Sequence, residues 1–391
     1  MAKNFLLMIV LLFSLSSFAA ISRQALQEEI GLPLLPDRQS FTRDELENAL
    51  RKKQLRFRGS AVKRTVFLPG TTVFGVTARE LQIISDADDK VEQVDIIFNN
   101  KGDTKDGVRS KIRDDASALK KKLIQLLGPR SKAKIGPDGM DAKVWVWHYD
   151  SIQLQLEFVR REYTILHIVY ANDADGQNRD GKSDEDVTIS SLQKNIVKKD
   201  NGDVFISNIP MVDQGSKGYC AVATMERVLI YYGFKNITQH QLADAANTGN
   251  GGGTTLMNLI SATRNITKKH DFDIKRCGDV SIRMIKRYID KGAPVLWCMN
   301  HNDSYYAIVT KSRSERAACP DLKIWLKSLK NIRVPARGEA HMCMIIGYNE
   351  NTEEIAVSNS WGDRESAPGW VPLKVAQKVS QRTCCVLVPE K

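Results

Sequence analysis

Residues 208–233 read NIPMVDQGSKGYCAVATMERVLIYYG, a glycine-punctuated loop that runs into a helix predicted to start near Cys220. Val222, Met225, Val228, Leu229 and Tyr232 recur at helical spacing, and Gly233 closes the run. A cysteine on the first turn of a helix sits at the positive end of the macrodipole, where thiolate is favoured over thiol. Cys220 is therefore placed to be a nucleophile; the competing assignments are a buried structural thiol and a disulfide partner.

Three further positions complete a chemical set. Gln214 precedes Cys220 in the loop, where its amide could join the Cys220 backbone N–H in holding an oxyanion. His341 opens the apolar run Met342-Cys343-Met344-Ile345-Ile346, so its imidazole stands at the start of a predicted strand and could face the helix. Asn359, in Ser358-Asn359-Ser360-Trp361-Gly362, ends the next strand and could orient the His341 ring, with Trp361 covering their hydrogen bond or serving as a plain core residue. Among the other histidines, His240 is expected on the surface of a helix capped by Thr238 with Gln241 at the capping-box position. His270 and His301 lie in polar, loop-like contexts, and neither opens an apolar strand.

The order Gln214, Cys220, His341, Asn359 and the Asn-Ser-Trp-Gly string resemble the papain-like cysteine peptidases and, in detail, bacterial peptidases of the double-glycine-leader type. The resemblance spans roughly residues 208–388. It implies a helical lobe carrying Cys220 and an antiparallel sheet lobe carrying His341 and Asn359. It also implies hydrolysis of peptide bonds in a peptide or protein substrate, without cofactor or metal. By the same resemblance, Gly252 and Gly253 in the turn 249–255 (GNGGGTT) form one wall of the substrate cleft, although a bare loop fits that turn as well. The turn lacks the Gly-Lys-Ser/Thr of a phosphate loop. Two departures stand out: Lys217 and Ala221 occupy positions where papain and the cathepsins carry a disulfide cysteine and a tryptophan. Leader-peptidase domains of transporters, moreover, usually carry Asp where Asn359 stands. The readings from other classes are a non-catalytic peptide- or protein-binding module on the same scaffold and an acyl transferase using the same site.

The N-terminal half has α+β character and no catalytic constellation. Residues 40–52 carry helix signals, and Val66-Phe67-Leu68, Leu81-Gln82-Ile83-Ile84 and Val94-Asp95-Ile96-Ile97-Phe98 are strand-like, the last ended by Asn99, Asn100 and Gly102. An amphipathic helix is predicted over 114–127, with Leu119, Leu123, Leu126 and Leu127 on one face, stopped by Gly128-Pro129. Strands follow over 143–148, 152–159 and 163–170. Alternation in the second points Leu154, Leu156 and Phe158 inward, with Gln153, Gln155 and Glu157 outward. His148 and His167 are strand histidines without metal spacing, and so structural. The acidic, Gly- and Asn-rich stretch 172–186 (NDADGQNRDGKSDED) marks a linker; Gly176 is misplaced for an EF-hand and no Glu occupies the bidentate position. The predicted division is thus a segment 1–20, an α+β domain over 21–171, a linker over 172–200 and the papain-like domain over 201–391.

Composition bounds the rest. A chain of 391 residues, 42% hydrophobic and 26% charged, is a folded protein of two or three domains rather than a collagen, a coiled coil or a disordered chain. Its +11 charge is spread without a basic run or interleaved aromatics, which argues against nucleic acid as a partner. Residues 1–20 follow the charged, apolar, small-residue order of a signal peptide, and the apolar stretch is short of the roughly 20 residues of a spanning helix. The expectation is an exported protein, periplasmic or extracellular, without a membrane anchor. All seven cysteines lie between positions 220 and 385, and an odd number leaves at least one unpaired if the others pair within the chain. The N-terminal domain is expected to act as inhibitor, substrate-binding arm or partner module, which includes regulation within the chain.

Overall fold

The computed structural model describes residues 21–36, 41–59, 63–86, 88–103, 108–133, 142–170, 187–215, 217–234, 237–249, 252–362, 365 and 367–390. The expected signal peptide and the stretch 172–186 lie outside the described residues. No described helix is long and apolar enough to cross a membrane.

In the N-terminal half an antiparallel sheet runs in the order Arg56–Gly59, Lys63–Phe67, Glu80–Ser85, Val91–Asn100, Tyr163–Tyr170, Ile152–Val159, Lys143–Tyr149, Ser131–Ala133. The helix Val108–Leu127 crosses one face, where Leu119 and Leu123 join Ile96, Leu154, Leu156 and Leu166 in the core. It begins earlier than predicted, because Ile112 and Ala116 pack on Phe158 and so stabilise turns that a polar sequence does not advertise. Gly128, at φ 81°, ends it. The strand Val91–Asn100 also runs past its expected end: Asn99 Oδ1 accepts from Arg79 at 2.9 Å, and Asn100 Oδ1 from the Gly102 N–H at 2.9 Å.

The other face of this sheet departs from the alternation argument. Gln155 and Glu157, predicted outward, are buried, as are Glu80, Gln82, Asp95 and His167. His167 lies between Asp95 (2.6 Å) and Glu157 (2.8 Å), a satisfied structural histidine. Burial opposes its protonation, but Asp95 and Glu157 outweigh burial and raise its pKa to about 9. The resulting stability is fully present below the unfolded value near 6.5 and is lost as pH rises through about 9. A displacement of this size corresponds to about 3 kcal/mol. Urea unfolding of the full chain should therefore show a midpoint that falls more steeply between about pH 6 and 10 than in His167→Gln. Equal slopes would mean that His167 is neutral in the folded protein.

In the C-terminal half a second antiparallel sheet has the order Ile196–Lys198, Asp203–Ile206, Glu339–Asn349, Val295–His301, Ser380–Pro389, Phe272–Cys277; Glu354–Ser358 pairs with Glu339–Asn349 and with Gly369–Pro372. Residues 189–198, counted with the linker in the sequence reading, form the helix Ile189–Gln193 and the first of these strands. The strands are apolar on both faces and use the two-residue period to fill two cores. Leu296, Met342, Met344 and Leu387 meet the helices Cys220–Tyr231, Gln239–Ala245 and Leu256–Lys268 on one side. Val295, Trp297, Cys343, Ile345 and Val386 meet Ile282–Ile289, Asp303–Lys311 and Leu373–Val379 on the other. This is the expected helical lobe against an antiparallel sheet lobe. None of the seven cysteines is bonded to another, and Cys343, Cys384 and Cys385 serve as buried apolar residues.

The polar face of the N-terminal sheet is covered by the C-terminal half. Lys217 Nζ lies 2.8 Å from Glu80 Oε2, His240 Nε2 lies 3.2 Å from Glu80 Oε1, Gln241 Nε2 donates to Glu157 at 3.4 Å, and Lys63 pairs with Glu226. All these side chains are buried. His240 is thus not the surface residue its polar helix suggests: Thr238 does cap that helix, with the Gln241 capping box in place, but its outer face docks on the N-terminal sheet.

Candidate active site

The helix Cys220–Tyr231 differs from its neighbours at its start. Thr238, Thr255, Ser281 and Asn302 cap the helices they precede, whereas Tyr219 makes no capping hydrogen bond from its side chain. The first N–H groups are therefore left for another acceptor. Burial pushes the Cys220 thiol up, and the backbone N–H groups of Met342, Ala221 and Cys220 itself oppose that by facing the sulfur. A donor from Met342 places the sulfur at the start of the strand that carries His341, and Thr224 Oγ1 ties the same helix to Met342 O at 3.2 Å.

His341 is buried, third in the strand Glu339–Asn349. Its Nε2 lies 3.0 Å from Asn359 Oδ1. The Asn359 amide is oriented by a second contact, since Asn359 Nδ2 donates to Glu365 Oε2 at 2.9 Å and a carboxylate can only accept. Glu365 is in turn held by Arg313 through two guanidinium nitrogens. With Oδ1 facing the ring, Nε2 carries the proton of the neutral imidazole and Nδ1 is left with the lone pair. Trp361 stacks on His341 at 4.8 Å between ring centroids and 27° between planes, the cover expected of it.

Gln214 is fixed at both ends of its amide. Its Oε1 accepts from Ser360 Oγ at 2.8 Å, its Nε2 donates to Lys217 O at 3.2 Å, and its backbone N–H donates to Ser360 O at 2.9 Å. An amide nitrogen has two protons, so one remains for another acceptor. Gly253 N–H donates to Gly218 O at 2.9 Å, which sets the glycine turn against the loop preceding Cys220. Gly252 has φ 103°, and a Cβ there would collide with Gly218, so this close approach admits glycine alone.

The sequence reading missed several residues that build this arrangement. Buried Arg227 bridges the loop and the strand end: Nε donates to Pro210 O (2.8 Å), Nη1 to Asn359 O (2.7 Å) and Nη2 to Ser358 Oγ (2.8 Å). Burial lowers its pKa only to about 10, so it stays cationic. His301 ends the strand Val295–His301 rather than lying in a loop, with its ring 5.7 Å from His341 and 5.0 Å from Trp361. Ser360 lies within the Asn-Ser-Trp-Gly string and Glu365 three residues past it, whereas Arg313 carried no signal in the sequence. Burial, with a smaller contribution from His301, lowers the His341 pKa to about 4 against the Asn359 hydrogen bond. Taken singly, His341 and Cys220 each favour the neutral form, so a second proton on the pair is disfavoured.

Residues 206–381 match the model of the Peptidase C39 like family. The match spans less than half of the chain, and within it the C-terminal half is similar to C39-like cysteine peptidases. Among solved structures, a C39-like peptidase candidate from Bacillus anthracis is 17% identical with a TM-score of 0.31, the match covering 48% of this chain and 97% of that one. Xylellain, a cysteine protease from Xylella fastidiosa, is 11% identical with a TM-score of 0.26, covering 53% and 94%. No curated protein matches the chain. The match supports a cysteine peptidase-like function for the C-terminal half, and members of such a family act on peptides or proteins.

Proposed function

We propose that this protein is an exported cysteine peptidase that cleaves peptide bonds with Cys220, His341 and Asn359, using Gln214 as oxyanion donor. His341 Nδ1 takes the Cys220 proton, and the sulfur attacks the substrate carbonyl carbon. The Gln214 amide and the Cys220 N–H receive the charge that develops on the carbonyl oxygen. His341 then gives the proton to the leaving amine as the C–N bond breaks, and water attacks the thioester to release the acid and restore the thiol. Gly252 and Gly253, held against Gly218, form one side of the cleft.

The observation that carries this reading is the amide of Asn359, pinned between Glu365 and His341 so that Nδ1 is the basic nitrogen. The pair shares one proton until the medium supplies a second, which burial opposes down to about pH 4. Alkylation of Cys220 by iodoacetamide, mapped by mass spectrometry, should therefore have its acid limb near pH 4. In His341→Ala the limb should move above the ordinary thiol value, because burial raises the Cys220 pKa. A wild-type profile that titrates like an ordinary thiol, near about pH 8.5, would remove the peptidase assignment and leave a binding module.

A further inference from the structure

The loop that carries Gln214 to Cys220 is held from outside its own domain. Lys217 lies in that loop, and its backbone carbonyl accepts the Gln214 amide proton at 3.2 Å. Its side chain, 2% exposed, runs away from the C39-like domain to Glu80 at 2.8 Å, on the strand Glu80–Ser85 of the N-terminal sheet. Glu80 is 4% exposed at its side chain and also receives His240 at 3.2 Å. Two residues beyond Lys217 in the same loop, the ring of Tyr219 meets Gly102 of the N-terminal half, so closely that a Cβ on Gly102 would not fit. Tyr219 immediately precedes Cys220 and stacks edge-on against His240.

These contacts form one chain of fixed groups: Glu80 carboxylate, Lys217 ammonium, Lys217 carbonyl, Gln214 amide. Separating a buried ammonium from the carboxylate it pairs with costs several kcal/mol, which holds Lys217 at Glu80. Oxyanion donors are sensitive to displacements of about 1 Å, because their worth depends on geometry set before the reaction. We propose that Glu80 is a positioning residue for the oxyanion amide, and that the N-terminal domain is a permanent, activating part of the site rather than a removable pro-segment. This rests on the assignment of Gln214 as oxyanion donor.

Two reagents separate the contributions without any peptide substrate. p-Nitrophenyl acetate acylates Cys220 through a tetrahedral oxyanion and expels p-nitrophenolate. Iodoacetamide alkylates the same sulfur by displacing iodide, with no oxyanion. The ratio of the two rates at Cys220, measured by mass spectrometry on the full chain, reads the oxyanion donors alone. Gln214→Ala should lower that ratio by about 100-fold. Glu80→Gln should lower it by about 10-fold or more with alkylation within about twofold, because a displaced donor loses part of its effect. Glu80→Asp, which restores the charge, should recover much of it. The double variant Glu80→Gln/Lys217→Gln removes both charges of the pair together, and it should keep the low ratio. A ratio that falls in Gln214→Ala but not in Glu80→Gln or the double variant overturns the proposal. An unchanged ratio in Gln214→Ala removes the oxyanion assignment itself, and with it the ground for Glu80.

Discussion

Cys220→Ala should abolish hydrolysis of a susceptible protein substrate, lowering turnover by about 10⁴-fold or more while leaving the thermal midpoint within a few degrees of wild type. The size of the loss follows from the mechanism. Without the sulfur no acyl-enzyme forms, and only binding and oxyanion stabilisation remain to help water attack the carbonyl. The small effect on stability follows from the surroundings. Cys220 is only partly buried and bonded to no other cysteine, and alanine is a better helix former on the first turn. Hydrolysis of labelled casein, followed with purified wild type and variant, gives the comparison. Activity retained in Cys220→Ala would place the chemistry elsewhere or assign it to a contaminant.

The parts of this arrangement that were legible in the sequence are those whose chemistry is local. Cys220 at a helix start, His341 at a strand start and Asn359 beside Trp361 each carry a signal within a few residues, and hydrophobic periodicity locates the elements that present them. Glu365, Arg313 and Arg227 carry none, because a buried ion pair and a solvated one have the same sequence. Their roles arise only when strands and loops distant in the chain converge. The N-terminal sheet is the larger example. Gln155 and Glu157 alternate with Leu154 and Leu156 as a solvent face would, yet the C-terminal half covers them. His240 was displaced from surface to interior by the same cause. Polar residues at a domain junction must be paired to be buried, and pairing across 160 positions of chain, as between Glu80 and His240, leaves no periodic trace.

The junction also sets the largest expected loss of stability. Lys63 and Glu226 form an ion pair between the two halves, with side chains 3% and 0% exposed. Glu226→Ala should destabilise the full chain by about 3–5 kcal/mol in urea unfolding, because it leaves an ammonium buried without its carboxylate. Two features act on this value in opposite directions. Asp95 is near enough to Lys63 to have its own pKa lowered by it, so part of the compensation survives. Glu226 Oε2 also accepts the Gln239 N–H at 2.7 Å, a bond on the first turn of Gln239–Ala245 whose loss adds about 1 kcal/mol. These contributions separate experimentally. Lys63→Met/Glu226→Gln removes both charges but keeps an oxygen for Gln239, and it should lie within about 2 kcal/mol of wild type. A single alanine variant as stable as the double one would mean that water reaches Lys63, and that the two halves are less closely seated than the buried pair requires.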